Sequence, residues 1–207
     1  MTAKSFIRLV VFALSSFALA DAANAHPHVW VTMKSELVYA PDGSVTGVRH
    51  AWQFDDMFST FATQGIESKK KGEFTREELA PLAEVNVTSL KEFDYFTYAK
   101  ANGKKTPFAP PKDYYLEFSE NMLTLHFTLP FKAPVKAQSL DVEMYDPSYF
   151  VDFSFADKDP VALVSAPSAC KVAIARPADA STLPAPGENL ANNYGSQFAN
   201  KISVKCP

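Results

Sequence analysis

The sequence predicts an α+β fold: mainly an antiparallel β-sandwich with a small helical insertion. Short runs that alternate apolar and polar residues fill most of the chain, turn-forming residues separate them, and only the region near residues 57–100 carries a helical pattern. With 207 residues, 47% hydrophobic and 21% charged, the composition is ordinary for a globular protein and suits one domain with a sizeable core.

The first segment is expected to be removed. Lys4 and Arg8 precede the apolar run LVVFALSSFALA at residues 9–20, which is too short for a comfortable bilayer span and leads into small residues. That is the pattern of a secretory signal peptide. Small-x-small cleavage sites end at Ala25 (Ala23-Asn24-Ala25) and at Ala20 (Ala18-Leu19-Ala20), and Ala25 is favoured because strand-like residues begin just after it. The chain then divides into a signal peptide, residues 1–25, and one periplasmic β-rich domain, residues 26–207, with its helical insertion near 57–100. Losing Lys4, Arg8 and Asp21 leaves 18 basic and 22 acidic side chains of the full chain's 20 and 23. That acidic balance argues against nucleic acid as a partner. No later segment is apolar enough for a membrane span, so the processed chain is not expected to cross one.

The first strand, His28 to Tyr39, alternates. Val29, Val31, Met33, Leu37 and Tyr39 share one face; His28, Trp30, Thr32, Lys34 and Glu36 share the other. Asp42-Gly43 then reads as a hairpin turn. If these two residues form the loop, paired positions sum to about 85, a register that can be checked against chemistry. Glu36 falls opposite Arg49, Leu37 opposite Val48 and Met33 opposite Trp52, so charge meets charge and apolar meets apolar. His50 falls opposite Ser35 on the apolar face and reads as a core or rim histidine.

The same register sets Asp55 opposite Trp30, on the face that carries His28. His26, His28, Asp55 and Asp56 then gather at one end of the hairpin, and two imidazoles with a carboxylate suit a divalent transition metal such as Ni, Co, Zn or Cu. After cleavage the amine of His26 and its own Nδ1 would chelate one ion, with His28 supplying a third nitrogen. Pro27 has no amide hydrogen, which excludes a copper site that ionises the second backbone amide. The competing reading of His26 and His28 is an exposed terminus that binds nothing. For Asp55 and Asp56 it is a helix N-cap following a strand.

The pattern turns helical from Met57 to Ile66, and Thr75-Arg76-Glu77-Glu78 is a capping box that opens a helix through Glu84. Residues Val87 to Ala99 suit either a longer helix or a strand, and Asn102-Gly103 ends the region. Strands resume at Tyr114–Phe118 and Met122–Phe131, joined at Glu120-Asn121, then at Ser139–Tyr145, Tyr149–Phe155, Val161–Ser165 and Cys170–Ala175. His126 alternates with Met122, Thr124 and Thr128 and reads as solvent-facing. Asp146, ahead of Pro147, reads as an Asx turn. Cys170 and Cys206 are the only cysteines, an even number in an exported chain, which predicts one disulfide. Nothing resembling a catalytic triad, a phosphate loop or a paired-carboxylate site stands out, so no enzymatic activity is expected.

HPHVW at 26–30, WQFDDMFS at 52–59, REELAPL at 76–82, YDPSYFVDF at 145–153 and YGSQFA at 194–199 resemble the bacterial domain of unknown function 1007 family. The resemblance implies an exported protein labelled as the periplasmic component of an uncharacterised ABC-type transport system. It also implies genes that often lie beside nickel/cobalt-type exporters or permeases, and hence a membrane metal transporter or ABC-type permease as partner. Relatives of this kind carry an EF-hand-like loop before the Arg76 helix. Here Gly72 would stand sixth and Glu78 twelfth, but Lys69 third and Lys71 fifth, and two ammonium groups repel the cation, so no calcium is expected. The functional expectation is a metal-binding accessory of a transport system. The alternatives are the solute-binding component of an ABC-type transporter and a histidine-brace copper enzyme, the latter needing a third histidine that the register turns away.

Processing is testable directly. Intact-mass analysis of the protein recovered from periplasm should give a chain beginning at His26; a chain beginning at Asp21 would bury the amine in an extension and remove the terminal chelate.

Overall fold

A computed structural model describes residues 27–70, 72–177 and 194–207. The predicted signal segment, both cleavage positions, His26 and Lys71 lie outside the described residues. Two five-strand paths of mostly antiparallel sheet face each other. Their strands are β1 (Val29–Tyr39), β2 (Val45–Phe54), β3 (Thr97–Ala101), β4 (Lys104–Thr106), β5 (Lys112–Ser119), β6 (Met122–Val135), β7 (Ser139–Met144), β8 (Val151–Phe155), β9 (Val161–Val164), β10 (Lys171–Ala175) and β11 (Asn200–Lys205). One sheet runs β5-β6-β2-β1-β8, with β9 following β8 along the same edge of β1; the other runs β10-β11-β7-β3-β4. Helices α1 (Asp56–Ala62) and α2 (Arg76–Leu90) form the insertion.

The hairpin register is the one the sequence predicts. Val31 pairs Phe54, Met33 pairs Trp52, Ser35 pairs His50, Glu36 pairs Arg49 and Leu37 pairs Val48. The turn itself is longer than two residues, because a bulge after Val38 shifts the last pair to Tyr39 and Val45. The reason is local: the Asp42 carboxylate accepts hydrogen bonds from Ser44 N (3.0 Å) and Ser44 Oγ (2.6 Å), closing an Asx turn around Gly43. Gly47 follows the bulge where β2 crosses β6 closely; a Cβ there would lie 2.5 Å from Leu129 O.

Burial follows the alternation. Met33, Leu37, Val48, Trp52, Leu125 and Leu129 are almost fully enclosed, each stabilising the fold by roughly 1.5–3 kcal/mol of transfer free energy. Trp52 sits edge-on to Phe127 (4.8 Å) and to Phe153 (4.9 Å), bridging three strands of one sheet. The exposed Arg49–Glu36 ion pair, at 2.7 Å, adds little stability but penalises a slipped register.

Three expectations need correction. Helix α2 does not stop at Glu84 but runs to Leu90, because Leu79, Ala83 and Val87 form one buried stripe at four-residue spacing. Strand β11 was not anticipated, although Ile202 and Val204 point inward between outward Lys201 and Lys205; it pairs with both β7 and β10. Strands β8 and β9 run parallel, not antiparallel, to β1, because the chain crosses over from β7 in the other sheet through residues 145–150. Elsewhere the expected turns hold: Glu120 and Asn121, at φ 53° and 62°, make the tight β5–β6 connection.

Three buried hydroxyls and an imidazole explain further choices. Ser59 on α1 donates to Asp55 O (2.6 Å) and accepts from Leu123 N (2.9 Å), tying the helix to β6. His50 is enclosed, with Ser35 Oγ 2.9 Å from Nδ1 and Thr97 Oγ1 3.4 Å from Nε2. The Thr97 hydroxyl donates to Tyr95 O, so His50 is neutral with its proton on Nε2 and accepts from Ser35. Burial pushes its pKa down to about 3. Cys170 and Cys206 are joined as predicted, pinning β10 to the end of β11.

Both features generate predictions. Between pH 6.5 and 5 the unfolded chain takes up a proton at residue 50 that the folded one refuses, so stability falls with pH there by up to about 1.4 kcal/mol per unit. Urea titrations should show that slope in the native protein and a flatter one in His50→Gln. Replacing both cysteines by serine should lower unfolding free energy by about 2–4 kcal/mol, read from the same titrations.

Candidate functional site

The open end of the first hairpin is where the sequence places its candidate ligands. His28 is exposed just before β1; its backbone N–H donates to Phe150 O (2.9 Å) and its ring lies 4.8 Å from the Phe150 ring. Asp55 stands across the pair, as the register requires. Its Oδ2 accepts from Trp30 N (2.9 Å), its Oδ1 from Phe58 N (2.8 Å), and its own N–H donates to Trp30 O (3.0 Å). Asp55 is therefore the N-cap of α1 and the clasp that closes the end of the hairpin. Each carboxylate oxygen keeps a lone-pair position after one N–H bond. Asp56 is exposed in the first turn of α1, where its charge suits the helix dipole.

His26, half of the predicted imidazole pair, lies outside the described residues. Among the described residues, no group of three or more His, Cys, Asp or Glu side chains converges as a metal site. The other two histidines are elsewhere. His50 is in the core, and His126 lies on the outer face of β6, stacked on Tyr115 at 4.5 Å with Nε2 3.2 Å from Glu117 Oε2. His126 is thus half-covered rather than fully solvent-facing, since Arg76 reaches over Tyr115 and pairs with Glu117.

In the loop before α2, Glu78 spends both carboxylate oxygens on backbone amides: Oε1 on Lys69 (3.0 Å) and Oε2 on Thr75 (2.8 Å). Those bonds hold its carboxyl below the usual range. The predicted capping box is complete, and this carboxylate serves it.

Sequence reasoning missed what YDPSYF and YGSQFA do together. Asp146 is an Asx turn as expected, accepting from Ser148 N and Oγ (both 2.8 Å), but it also accepts from Val151 N (3.0 Å), which launches β8. Gly195 packs directly on that turn, where a Cβ would strike the Asp146 carbonyl. Tyr149 and Phe198 stack at 3.7 Å with Tyr194 edge-on to both. The two motifs are one lock holding the edge strand beside His28.

Sequence reasoning also missed a cleft of about 470 Å³ at this same end, walled by Val29, Val31, Phe54, Phe96, Phe150 and Phe153 among others. No periodicity reveals it, because its walls come from three strands of one sheet, β1, β2 and β8, from the end of α2 and from the segments that follow α2 and β7. Among the described residues, no helix is long and apolar enough to cross a membrane.

Comparison with known proteins places the chain. An uncharacterised protein of Haemophilus influenzae is 24% identical over 193 residues, covering 88% of this chain and 91% of the relative. An uncharacterised 15.5 kDa protein in the trpE 3′ region of Spirochaeta aurantia is 30% identical over 93 residues, 44% of this chain and 66% of the relative. The model of a family described as protein of unknown function (DUF1007) matches residues 11–206, nearly the whole chain, and the chain belongs to that family.

Proposed function

We propose that this is an exported, periplasmic accessory protein of a transport system that binds a divalent transition metal at the His28 end of the sandwich. The observation that carries the reading is the clasp between Trp30 and Asp55. It brings a carboxylate to the strand end from which His28 projects, and its two backbone bonds fix that carboxylate in orientation while leaving lone pairs free. His28 is exposed, immediately precedes β1 and stands against Phe150, so its imidazole is carried at a strand end rather than on a loop tip. The ligand set is His26, with its terminal amine after cleavage, His28, and Asp55 or its neighbour Asp56. Imidazole and amine nitrogens with one carboxylate favour Ni, Co, Zn or Cu over calcium or magnesium. The partner is a membrane metal transporter or ABC-type permease, to which the loaded end would be presented.

Isothermal titration of the processed protein with Zn(II), Ni(II) and Cu(II) tests this. Binding should weaken at least tenfold in His28→Ala, stay within about twofold in His126→Ala, and fall with acid, because only deprotonated nitrogens ligate. Binding unaffected by His28→Ala, or none at micromolar concentrations, would refute the reading.

A further inference from the structure

The apolar cleft is unexplained by the metal reading and stands independently of it. Its volume of about 470 Å³ lies within the range of small-molecule sites. Phe93 and Phe150, both lining it, are 49% and 46% exposed, large apolar surface that a folded chain ordinarily covers.

One wall is built at a cost. Asp94, Tyr95 and Phe96 are three consecutive non-glycine residues at φ 51°, 55° and 48°, a left-handed run that disfavours L-residues by roughly 1–2 kcal/mol each. That turn sets Phe93 and Phe96 in a stack, with centroids 5.2 Å apart, against the cleft. Strain of this kind persists where surrounding structure imposes it, commonly at ligand sites.

The lining also specifies charge. It contains no Lys, Arg or His, and its one carboxylate, Asp146, has both oxygens occupied by Ser148 and Val151. An ion entering here would lose hydration without gaining a counter-charge. Besides the Trp52 indole N–H, which is buried without a partner among the described residues, two polar groups remain, on one face of α2 three residues apart. Asn86 donates from Nδ2 to Leu82 O (2.8 Å), which leaves its Oδ1 without a partner among the described residues, and the Ser89 hydroxyl makes no hydrogen bond there.

We propose that the cleft binds an uncharged amphiphile, whose apolar body fills the aromatic chamber and whose single hydroxyl or amide group meets Asn86 and Ser89. The probe is N-phenyl-1-naphthylamine, two ring systems joined by one N–H, whose fluorescence rises in an apolar environment. With EDTA present, the protein should bind it at one saturable site with a micromolar Kd. 1-Decanol should displace it, and decanoate at neutral pH should not.

Ser89→Trp, at an exposed position on the rim, should weaken binding at least tenfold with the circular dichroism spectrum unchanged. Val85→Trp, on the same helix but outside the cleft, should leave it unchanged. Should Ser89→Trp misfold, Phe93→Ala removes part of the stacked wall from an exposed position and should show the same loss. Absence of saturable binding, undiminished binding in the folded cleft variants, or displacement by decanoate as readily as by decanol would each overturn the proposal.

Discussion

The register between β1 and β2 is the constraint on which the rest of the molecule rests. Side chains alternate along a strand, so sliding β1 by one residue would turn Met33 and Leu37 to water and bring Lys34 and Glu36 into the core. The apolar pairs Met33–Trp52 and Leu37–Val48 forbid that slip far more strongly than the Glu36–Arg49 ion pair does. Everything at the His28 end inherits this register. Trp30 meets Asp55 because Met33 meets Trp52; Asp55 then caps α1, and Ser59 in α1 reaches the backbone of β6.

How much of this the sequence discloses depends on whether the cause is local. The hairpin register was legible because an alternating pattern and a turn signal sit within one stretch of chain, and opposite residues could be checked for compatibility. The disulfide was legible from cysteine count, and the capping box of α2 from four consecutive residues. The parallel placement of β8 and β9 was not legible, since it follows from a crossover whose reach depends on both sheets. Strand β11 was visible in the alternation of Ile202 and Val204, but a Pro- and Asn-rich approach hid it among loop residues.

The candidate site shows the same division. That Asp55 faces Trp30 could be read from numbering alone; that its carboxylate is the clasp of the hairpin and the cap of α1 emerges only from geometry. The cap and the ligand roles are compatible, because backbone amides that fix a carboxylate also pre-orient it. Asp146 was legible as an Asx turn, but what that turn and the Tyr149–Phe198 stack do together is long-range and was not: they seat β8 beside His28 across about fifty residues of intervening chain. The cleft had no signature at all, since its walls are assembled from distant segments that each read as ordinary core.

The central claim is that the processed N-terminus and His28 hold a metal at the clasped end of the hairpin. Histidine ring spectra of ¹⁵N-labelled processed protein, recorded by NMR as Zn(II) is added, address it most directly, because each of the four imidazoles reports separately. The account predicts that the His26 and His28 ring signals shift together and saturate at one equivalent, while those of the buried His50 and the Tyr115-stacked His126 stay in place. Shifts confined to His126, or no shift at His28 at saturating Zn(II), would contradict it.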